Sequence, residues 1–342
     1  MGTETFRVDA RACIRCGACA TAAPAHFSLS AGPARLVRSP AGGRERAACR
    51  SAAALCPTQA IAEPEPVADA FLALEGPGGE AHLYPEIFSV AECARWRVAS
   101  VPWHRFHPAQ ATAELCAVVR AMAYSEQATF SATQRFMAAF SDDPDFSQWI
   151  SVWFYEETRH PMVLLRWLVL AGEEPGEDFV RSGRVSAPFM KSRIGTLVTN
   201  VISELVAAQA YLDLARASPE PLLAALAQRI GADEARHAAS FFTYARRALE
   251  RAVDAERERL DVLKVLHFWL HESQSVSHPV NETMEKLHGL RPEDGPLPPF
   301  ALPRRRMARV IGLLAGLPLD SPEDLADVLI EHTRRVHTAS VR

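Results

Sequence analysis

The sequence contains one short motif twice, and each copy lies within a long run of apolar residues at helical spacing. The motif is acid-Glu-x-Arg-His, found at residues 156–160 and 233–237. A Glu and a His three positions apart project from the same face of an α-helix. Each copy therefore predicts a helix that presents one carboxylate and one imidazole side by side on an otherwise apolar face.

Two further glutamates lie alone on apolar helical stripes. Glu126 falls within the stripe 115–140, and Glu204 falls within the stripe 194–211. An unpaired buried carboxylate costs several kcal/mol, so four of them in one core require cations to neutralise them. Four carboxylates and two imidazoles suit two ferrous or ferric ions. The predicted metal ligands are Glu126, Glu157, His160, Glu204, Glu234 and His237.

The order of these residues along the chain fits a four-helix bundle. Glu126 precedes Glu157 by 31 residues, and Glu204 precedes Glu234 by 30. Each interval accommodates half a helix, a turn and half of an antiparallel neighbour. A single buried polar residue is usually a satisfied part of a core, but two matched pairs plus two single acids favour a metal site.

A second group of candidate ligands lies near the N-terminus. Cys13, Cys16 and Cys19 are separated by two residues each, and Cys56 follows after a long gap and precedes a proline. This spacing predicts one iron–sulfur cluster, because the tight loop surrounds it and the remote cysteine closes the site. A four-cysteine zinc site is the alternative, although such sites more often pair two separated arms. Cys49 is interpreted as a packed thiol or an alternative ligand.

The stretches CIRCGACATAAPAHF and LCPTQAI resemble a bacterial-type ferredoxin with a single cluster, over about residues 5–63. The resemblance implies a small α+β domain, assigned to residues 1–63, and one [4Fe-4S] cluster held by Cys13, Cys16, Cys19 and Cys56. Residues 64–109 are interpreted as a connecting segment because proline and glycine interrupt them.

Charge is distributed unevenly along the chain. Residues 1–62 carry eight arginines and three acids, a net charge of +5, whereas the remainder carries 29 basic and 38 acidic residues. The opposite charges would favour docking of this segment on the rest of the chain, or the arginines would offset an anionic cluster. Nucleic-acid binding is disfavoured, because the whole chain is acidic and lacks interleaved aromatic residues.

The segments WISVWFYEETRHPMVLLRWLVLAGEEP and GADEARHAASFFTYARRALE resemble helices of the ferritin-like di-iron oxidases and oxygenases. That group includes soluble acyl-carrier-protein desaturases, bacterial hydroxylases, arylamine N-oxygenases and the small subunit of ribonucleotide reductase. The first segment most resembles the desaturases. The resemblance implies a mainly α protein with a ferritin-like four-helix bundle over residues 110–250 and additional helices over 251–342 packed on it.

The resemblance also implies roles for individual residues. Glu126 and His160 would be terminal ligands of one iron, Glu204 and His237 of the other, and Glu157 and Glu234 would bridge both. Asp233 and Glu156 would accept hydrogen bonds from the outer ring nitrogens of His160 and His237. Two arginines would neutralise these outer acids: Arg159 and Arg236.

Departures from the family pattern narrow the choice of function. Leu164 stands where the radical-bearing reductase subunit has a tyrosine, and Ala207 stands where peroxide-reducing rubrerythrins have an extra glutamate. Ala207 and Ala208 also occupy the positions of a threonine common in desaturases and hydroxylases. Ile230 replaces the third histidine of the arylamine oxygenases. These differences disfavour a radical-bearing reductase subunit, a rubrerythrin and an N-oxygenase of the arylamine type.

The sequence therefore predicts a non-haem di-iron enzyme of the monooxygenase or desaturase class. It would use O2 to hydroxylate, desaturate or N-oxygenate a small or carrier-bound substrate. Electrons would pass through the fused ferredoxin domain from an NAD(P)H-dependent reductase. The alternative is a rubrerythrin-type reductase of peroxide or O2 without an organic substrate. A large apolar pocket would favour the enzyme and a tightly filled bundle the alternative; the pocket would lie beside Thr133, Met137, Trp153 and Phe241.

Location and assembly follow from more general features. No apolar run approaches the ~20 residues of a membrane span, and the N-terminus lacks a signal pattern. Cysteines crowded at ligand spacing favour a reducing compartment. We therefore expect a cytoplasmic protein that binds neither membrane nor nucleic acid. The C-terminal helices would cover the substrate entrance or form a homodimer interface.

Overall fold

The computed structural model describes residues 6–29, 32–62, 82–176, 179, 192–272, 279–290 and 301–340. Over these residues the chain is mainly helical, and its strands form two small antiparallel sheets near the N-terminus. This agrees with the predicted mainly α class preceded by a small segment containing strands. Among the described residues, none of the helices has both the length and the apolar character needed to cross a membrane.

The N-terminal segment is closed by pairing of its first and last strands. Arg7 pairs with Ala62 in one sheet, and Phe27 pairs with Leu36 in the other. Its small core includes Cys49, which is completely buried and lies apart from the tight cysteine loop in sequence. The elements are β1 (Arg7–Val8), α1 (Ala18–Ala22), β2 (Phe27–Ser28), β3 (Arg35–Leu36), α2 (Gly43–Ala54) and β4 (Ile61–Ala62).

The described part of the connecting segment packs on the main core. It contains helix α3 (Tyr84–Ala94) and short 3-10 turns up to Gln110. The buried Asp145 carboxylate accepts hydrogen bonds from the amides of Leu83 and Tyr84, at 3.1 and 2.7 Å, and so holds the start of α3. Residues 63–81 lie outside the described residues.

Six helices form the central part of the molecule. The pair α4–α5 packs against α6–α7, α8 packs against α9, and α9 also contacts α6 and α7. Side chains cap the starts of α4, α6, α8 and α9 by accepting backbone amide hydrogen bonds. The helices are α4 (Ala113–Ser125), α5 (Ala128–Ala139), α6 (Pro144–Glu157), α7 (Arg159–Leu170), α8 (Arg193–Ala217) and α9 (Pro221–Glu250).

Two of the predicted continuous helices are divided next to a candidate ligand. The stripe 115–140 is split into α4 and α5 at Glu126, whose carbonyl accepts from both the amide and the hydroxyl of Thr129. The helix predicted around the first motif copy, residues 156–160, is split at Thr158. Pro161 explains this second break, because proline lacks an amide proton and its ring clashes with the carbonyl four residues earlier.

The C-terminal helices share the hydrophobic core of the central helices. Helix α11 contacts α4, α12 contacts α8 and α9, and α13 contacts α10. The described residues of this region therefore pack on the central helices. Its helices are α10 (Ala255–His267), α11 (Pro279–Gly289), α12 (Ala301–Ala315) and α13 (Leu325–Ser340).

Candidate metal centre

The structure brings all six predicted ligands together as two overlapping sets. Within each set, one oxygen or nitrogen of every residue lies within 4.8 Å of the others, and every residue is buried. The first set is Glu126, Glu157, His160 and Glu234; the second is Glu157, Glu204, Glu234 and His237. Glu157 and Glu234 belong to both sets, which is the arrangement expected of carboxylates that bridge two ions.

In the first set, His160 directs its Nδ1 atom toward three carboxylates. This atom lies 3.4 Å from Glu126 Oε2, 3.3 Å from Glu234 Oε1 and 3.8 Å from Glu157 Oε2. The side chain of His160 is completely buried. Its inner nitrogen therefore faces three carboxyl groups from three different helical segments.

The second set repeats this arrangement around His237. Its Nδ1 atom lies 2.8 Å from Glu157 Oε1, 3.2 Å from Glu234 Oε2 and 3.8 Å from Glu204 Oε2. Both histidines therefore present the same ring nitrogen to the interior, and both use Nε2 on the outer side.

The outer ring nitrogens meet the two acids that begin the motif copies. His160 Nε2 lies 3.3 Å from Asp233 Oδ2, and His237 Nε2 lies 3.0 Å from Glu156 Oε2. When Nε2 carries the proton and donates to the acid, the lone pair of Nδ1 points into the cluster. A carboxylate in this position fixes the tautomer and orientation of a metal-binding histidine.

The two motif arginines connect these acids into one buried network. Arg159 lies 3.2 Å from Asp233 and 3.5 Å from Glu156, and Arg236 lies 3.0 and 2.6 Å from the same two acids. Burial alone would raise the pKa of Glu156, but the hydrogen bond from His237 and the charge of Arg236 lower it to about 2. The outer acids therefore stay ionised and orient the histidines.

The connecting segment supplies further partners to the outer acids. Trp96 Nε1 donates to Asp233 Oδ2 at 2.8 Å, and Arg95 Nε lies 3.4 Å from Glu156 Oε1. Arg159 in turn donates to the backbone carbonyl of Trp96 at 2.6 Å. No role for these residues was predicted from the sequence, because nothing in the spacing links this segment to helices more than 60 residues away.

Two aromatic side chains hold the terminal carboxylates. Tyr211 donates its hydroxyl proton to Glu126, and Trp153 Nε1 donates to Glu204 Oε1 at 3.0 Å. Both aromatics lie at apolar helical positions in the sequence, where no hydrogen-bonding role was predicted for them. The position of Trp153 could have indicated a contact with the metal site, because it precedes the candidate ligand Glu157 by one helical turn on the same face.

The charge balance of the cluster fits cation binding. Burial raises the pKa of Glu157 to about 8, and burial also places the pKa of Glu204 well above its ordinary value. Among the described residues, no group makes a hydrogen bond of suitable geometry with the buried atoms Glu157 Oε1 and His160 Nδ1. Without a cation the cluster must hold protons, and a pair of metal ions with oxygen and nitrogen ligands would replace them.

Aromatic side chains fill the space beside the second ligand set. The ring of Phe136 lies 5.6 Å from that of Trp153 and 5.5 Å from that of Phe241, and all three are buried. Met137 instead faces outward, with 37% of its surface exposed. The region where a large apolar pocket would favour an organic substrate is therefore packed by the described side chains.

The four predicted cluster cysteines also lie close together. Cys13, Cys16 and Cys56 each contribute to raising the pKa of Cys19 to about 12, after the larger effect of burial. Amide protons of Ala34 and Ala60 point at the sulfurs of Cys13 and Cys56, at 3.4 and 3.2 Å. Buried thiols of this kind fit an iron cluster, because iron stabilises the thiolate form.

A family model decides the nature of this cysteine site. Residues 8–63 match the 4Fe-4S single cluster domain of ferredoxin I. The match confirms the ferredoxin resemblance of the N-terminal segment and supports one [4Fe-4S] cluster and a role in electron transfer. A search of the curated proteins gives no significant match to the chain.

Proposed function

We propose that this chain is a di-iron oxidoreductase that uses O2 to hydroxylate, desaturate or N-oxygenate a small or carrier-bound organic substrate. The observation that carries the proposal is the pair of overlapping ligand sets that share Glu157 and Glu234. Two buried ions held in this way suit the ferritin-like di-iron family that the sequence resembles.

Glu126 and His160 would hold one iron, and Glu204 and His237 would hold the other. When bound in the ferrous state, the iron pair supplies the electrons with which O2 is reduced. The chain supplies the geometry around that pair. Asp233 and the other outer acid orient the histidine rings, so the ligands are aligned before the ions arrive.

Aromatic residues restrict what reaches the site. Tyr211 and Trp153 fix the terminal carboxylates by hydrogen bonds, and the buried ring of Phe241 packs directly against Trp153. This apolar wall excludes water, which protects an oxidising centre from uncoupled reactions.

The ferredoxin segment provides a local electron supply. Because it belongs to the same chain, its effective concentration at the metal site is high. One four-iron cluster carries one electron at a time, so two successive reductions by an external NAD(P)H-dependent reductase are needed per turnover. The arginines of residues 1–62 are exposed in the described part of the segment and would attract an acidic reductase.

A second candidate function is supported by the packing of Phe136, Trp153 and Phe241 beside the second ligand set. A filled bundle suits a rubrerythrin-type reductase of peroxide or O2, since small oxidants need no large pocket. The two candidates differ in what is oxidised: the oxygenase oxidises an organic substrate, whereas the reductase reduces O2 or peroxide without one.

Rapid mixing of the fully reduced protein with O2 and, separately, with peroxide tests the proposal. A long-lived coloured species that forms from O2 and disappears when an organic compound is added supports the oxygenase. The oxygenase should also consume two external electrons per O2. Prompt turnover of peroxide, or reduction of O2 to water by four electrons without substrate oxidation, would favour the reductase. Glu157→Gln is the control, because it lacks a shared ligand but keeps the ferredoxin cysteines.

A further inference from the structure

The cysteine loop contacts the helices that carry the candidate iron ligands. Ala18 and Leu55 of the ferredoxin segment form a small buried cluster with Ala208 of α8 and Ala235 of α9. Ala235 directly follows a shared ligand, and Ala208 lies one helical turn after a terminal ligand. The contact is therefore made by small side chains that bring the backbones of the two parts close together.

Arg306 of α12 joins the cysteine loop to α8. Its guanidinium donates to the backbone carbonyl of Arg15 at 2.9 Å and to the side-chain oxygen of Gln209. The same residue lines a small apolar cavity together with Cys16 and Met307. One side chain thus contacts the loop between two cluster ligands and the helix that carries Glu204.

The charge of Arg306 lies beside a predicted cluster ligand. Burial lowers the pKa of Arg306, and the negative charge of a Cys16 thiolate opposes that shift. A guanidinium remains protonated even so. A four-cysteine cluster becomes more negative when it is reduced. A fixed positive charge nearby therefore stabilises the reduced state and raises the reduction potential.

Arg309 provides a comparison on the same helix. It donates to the backbone carbonyl of Arg11 at 3.3 Å, and its Nε lies 3.9 Å from Asp320. Like Arg306, it links α12 to the ferredoxin segment, but it is not among the residues that line the cavity beside Cys16. If α12 had only a structural role, replacing either arginine would have the same effect on the cluster.

We propose that Arg306 is a positioning residue that holds the cysteine loop on α8 and raises the potential of the cluster, so that an external donor reduces it more readily before the electron passes to the iron pair. The inference rests on the proposed function. One electron leaves the reduced cluster, which returns from its 1+ to its 2+ state, and converts one ferric ion to ferrous. Two such transfers, each preceded by reduction from an external low-potential donor, reduce the pair.

The first test measures the cluster potential in the full-length chain by a redox titration followed by electron paramagnetic resonance. Arg306→Met is expected to favour the oxidised cluster by about tenfold, a fall of about 59 mV for one electron. Arg306→Lys keeps the charge and is expected to retain most of the wild-type potential. Arg309→Met is the matched control and is expected to leave the potential unchanged. Equal potentials in the two Met variants would overturn the inference.

The second test follows reoxidation of the cluster after anaerobic reduction by dithionite in protein loaded with ferric iron. A lower cluster potential by itself favours transfer to ferric iron. Arg306→Met is nevertheless expected to slow reoxidation about tenfold relative to Arg309→Met, because the cysteine loop is no longer held on α8. Iron content and circular dichroism show whether each variant is folded and loaded, and Arg306→Lys provides a second variant if the Met variant misfolds. A wild-type cluster that never reduces the iron pair refutes the proposed function. Transfer in the wild type that Arg306→Met leaves unaltered refutes only the role of Arg306.

Discussion

Asp233 Oδ2 lies 3.3 Å from His160 Nε2, although these residues are 73 positions apart and belong to different copies of the repeated motif. Glu156 and His237 make the reciprocal contact at 3.0 Å. The acid of each motif copy therefore orients the histidine of the other copy. This exchange links α6, α7 and α9 around the cluster and explains why an acid precedes the Glu in both copies.

Replacement of a shared ligand should affect both metal positions. Glu234→Gln is expected to weaken binding of both ions by more than the roughly 10- to 100-fold that a change in an outer carboxylate costs. Iron analysis should show loss of the iron pair while the iron of the ferredoxin cluster is retained. Glu250→Gln, at the exposed end of the same helix, is the control. Full retention of the iron pair in Glu234→Gln would contradict the assignment.

Asp233→Asn preserves the shape of the side chain but removes its charge. The ring of His160 then loses its anionic partner, so metal affinity is expected to fall roughly 10- to 100-fold. Competition with a chelator measures the affinity, and Asp213→Asn on the more exposed part of α8 serves as the control. An affinity equal to that of the control would show that the outer acid has no role in metal binding.

Metal affinity should increase with pH. Because burial raises the pKa of Glu157 to about 8, this carboxyl carries a proton at neutral pH that an incoming ion must displace. We therefore expect affinity to rise between about pH 6 and pH 8, with proton release during binding. Titration with a ferrous surrogate such as Mn²⁺ at several pH values measures the trend. A constant affinity over this range would exclude proton displacement from the cluster.

Tyr211→Phe removes the donor that holds Glu126. A buried acceptor without its partner costs about 1–3 kcal/mol, so the free energy of unfolding of the metal-free protein should fall by that amount. Urea denaturation measures the change. Tyr155→Phe is a matched control, because Tyr155 is 54% exposed. Similar losses in both variants would mean that the hydrogen bond contributes nothing specific.

Gly231 permits close contact between α8 and α9. A Cβ atom at this position would lie 3.2 Å from Tyr211 Cβ and 3.3 Å from the carbonyl of Ala208, and neither atom can move without moving α8. Gly231→Ala should therefore be less stable than Gly43→Ala, which meets nothing within 4 Å, by about 1–3 kcal/mol. Thermal unfolding of both variants checks this difference, and equal stability would show that the helices separate at no cost.

The sequence predicted much of the candidate site because its signals are local. The helical spacing of Glu157 and His160 places both on one face in any α-helix, and the spacing of the cysteines requires one loop. The breaks at Glu126 and Thr158 were missed because apolar periodicity continues through them. Pro161 was the available sign of the second break, whereas the hydrogen bonds of Thr129 that tighten the first are visible only in the folded chain.

The chain by itself determined which residues can bind metal, since ligand chemistry and short-range spacing belong to the residue types. Tertiary structure decided which side chains complete the site: Trp96 on Asp233, Tyr211 on Glu126 and Arg306 beside the cysteine loop. These contacts join residues separated by 85 to 291 positions. Their formation depends on helix packing and side-chain direction, because no periodicity in the sequence relates one helix to its distant partner.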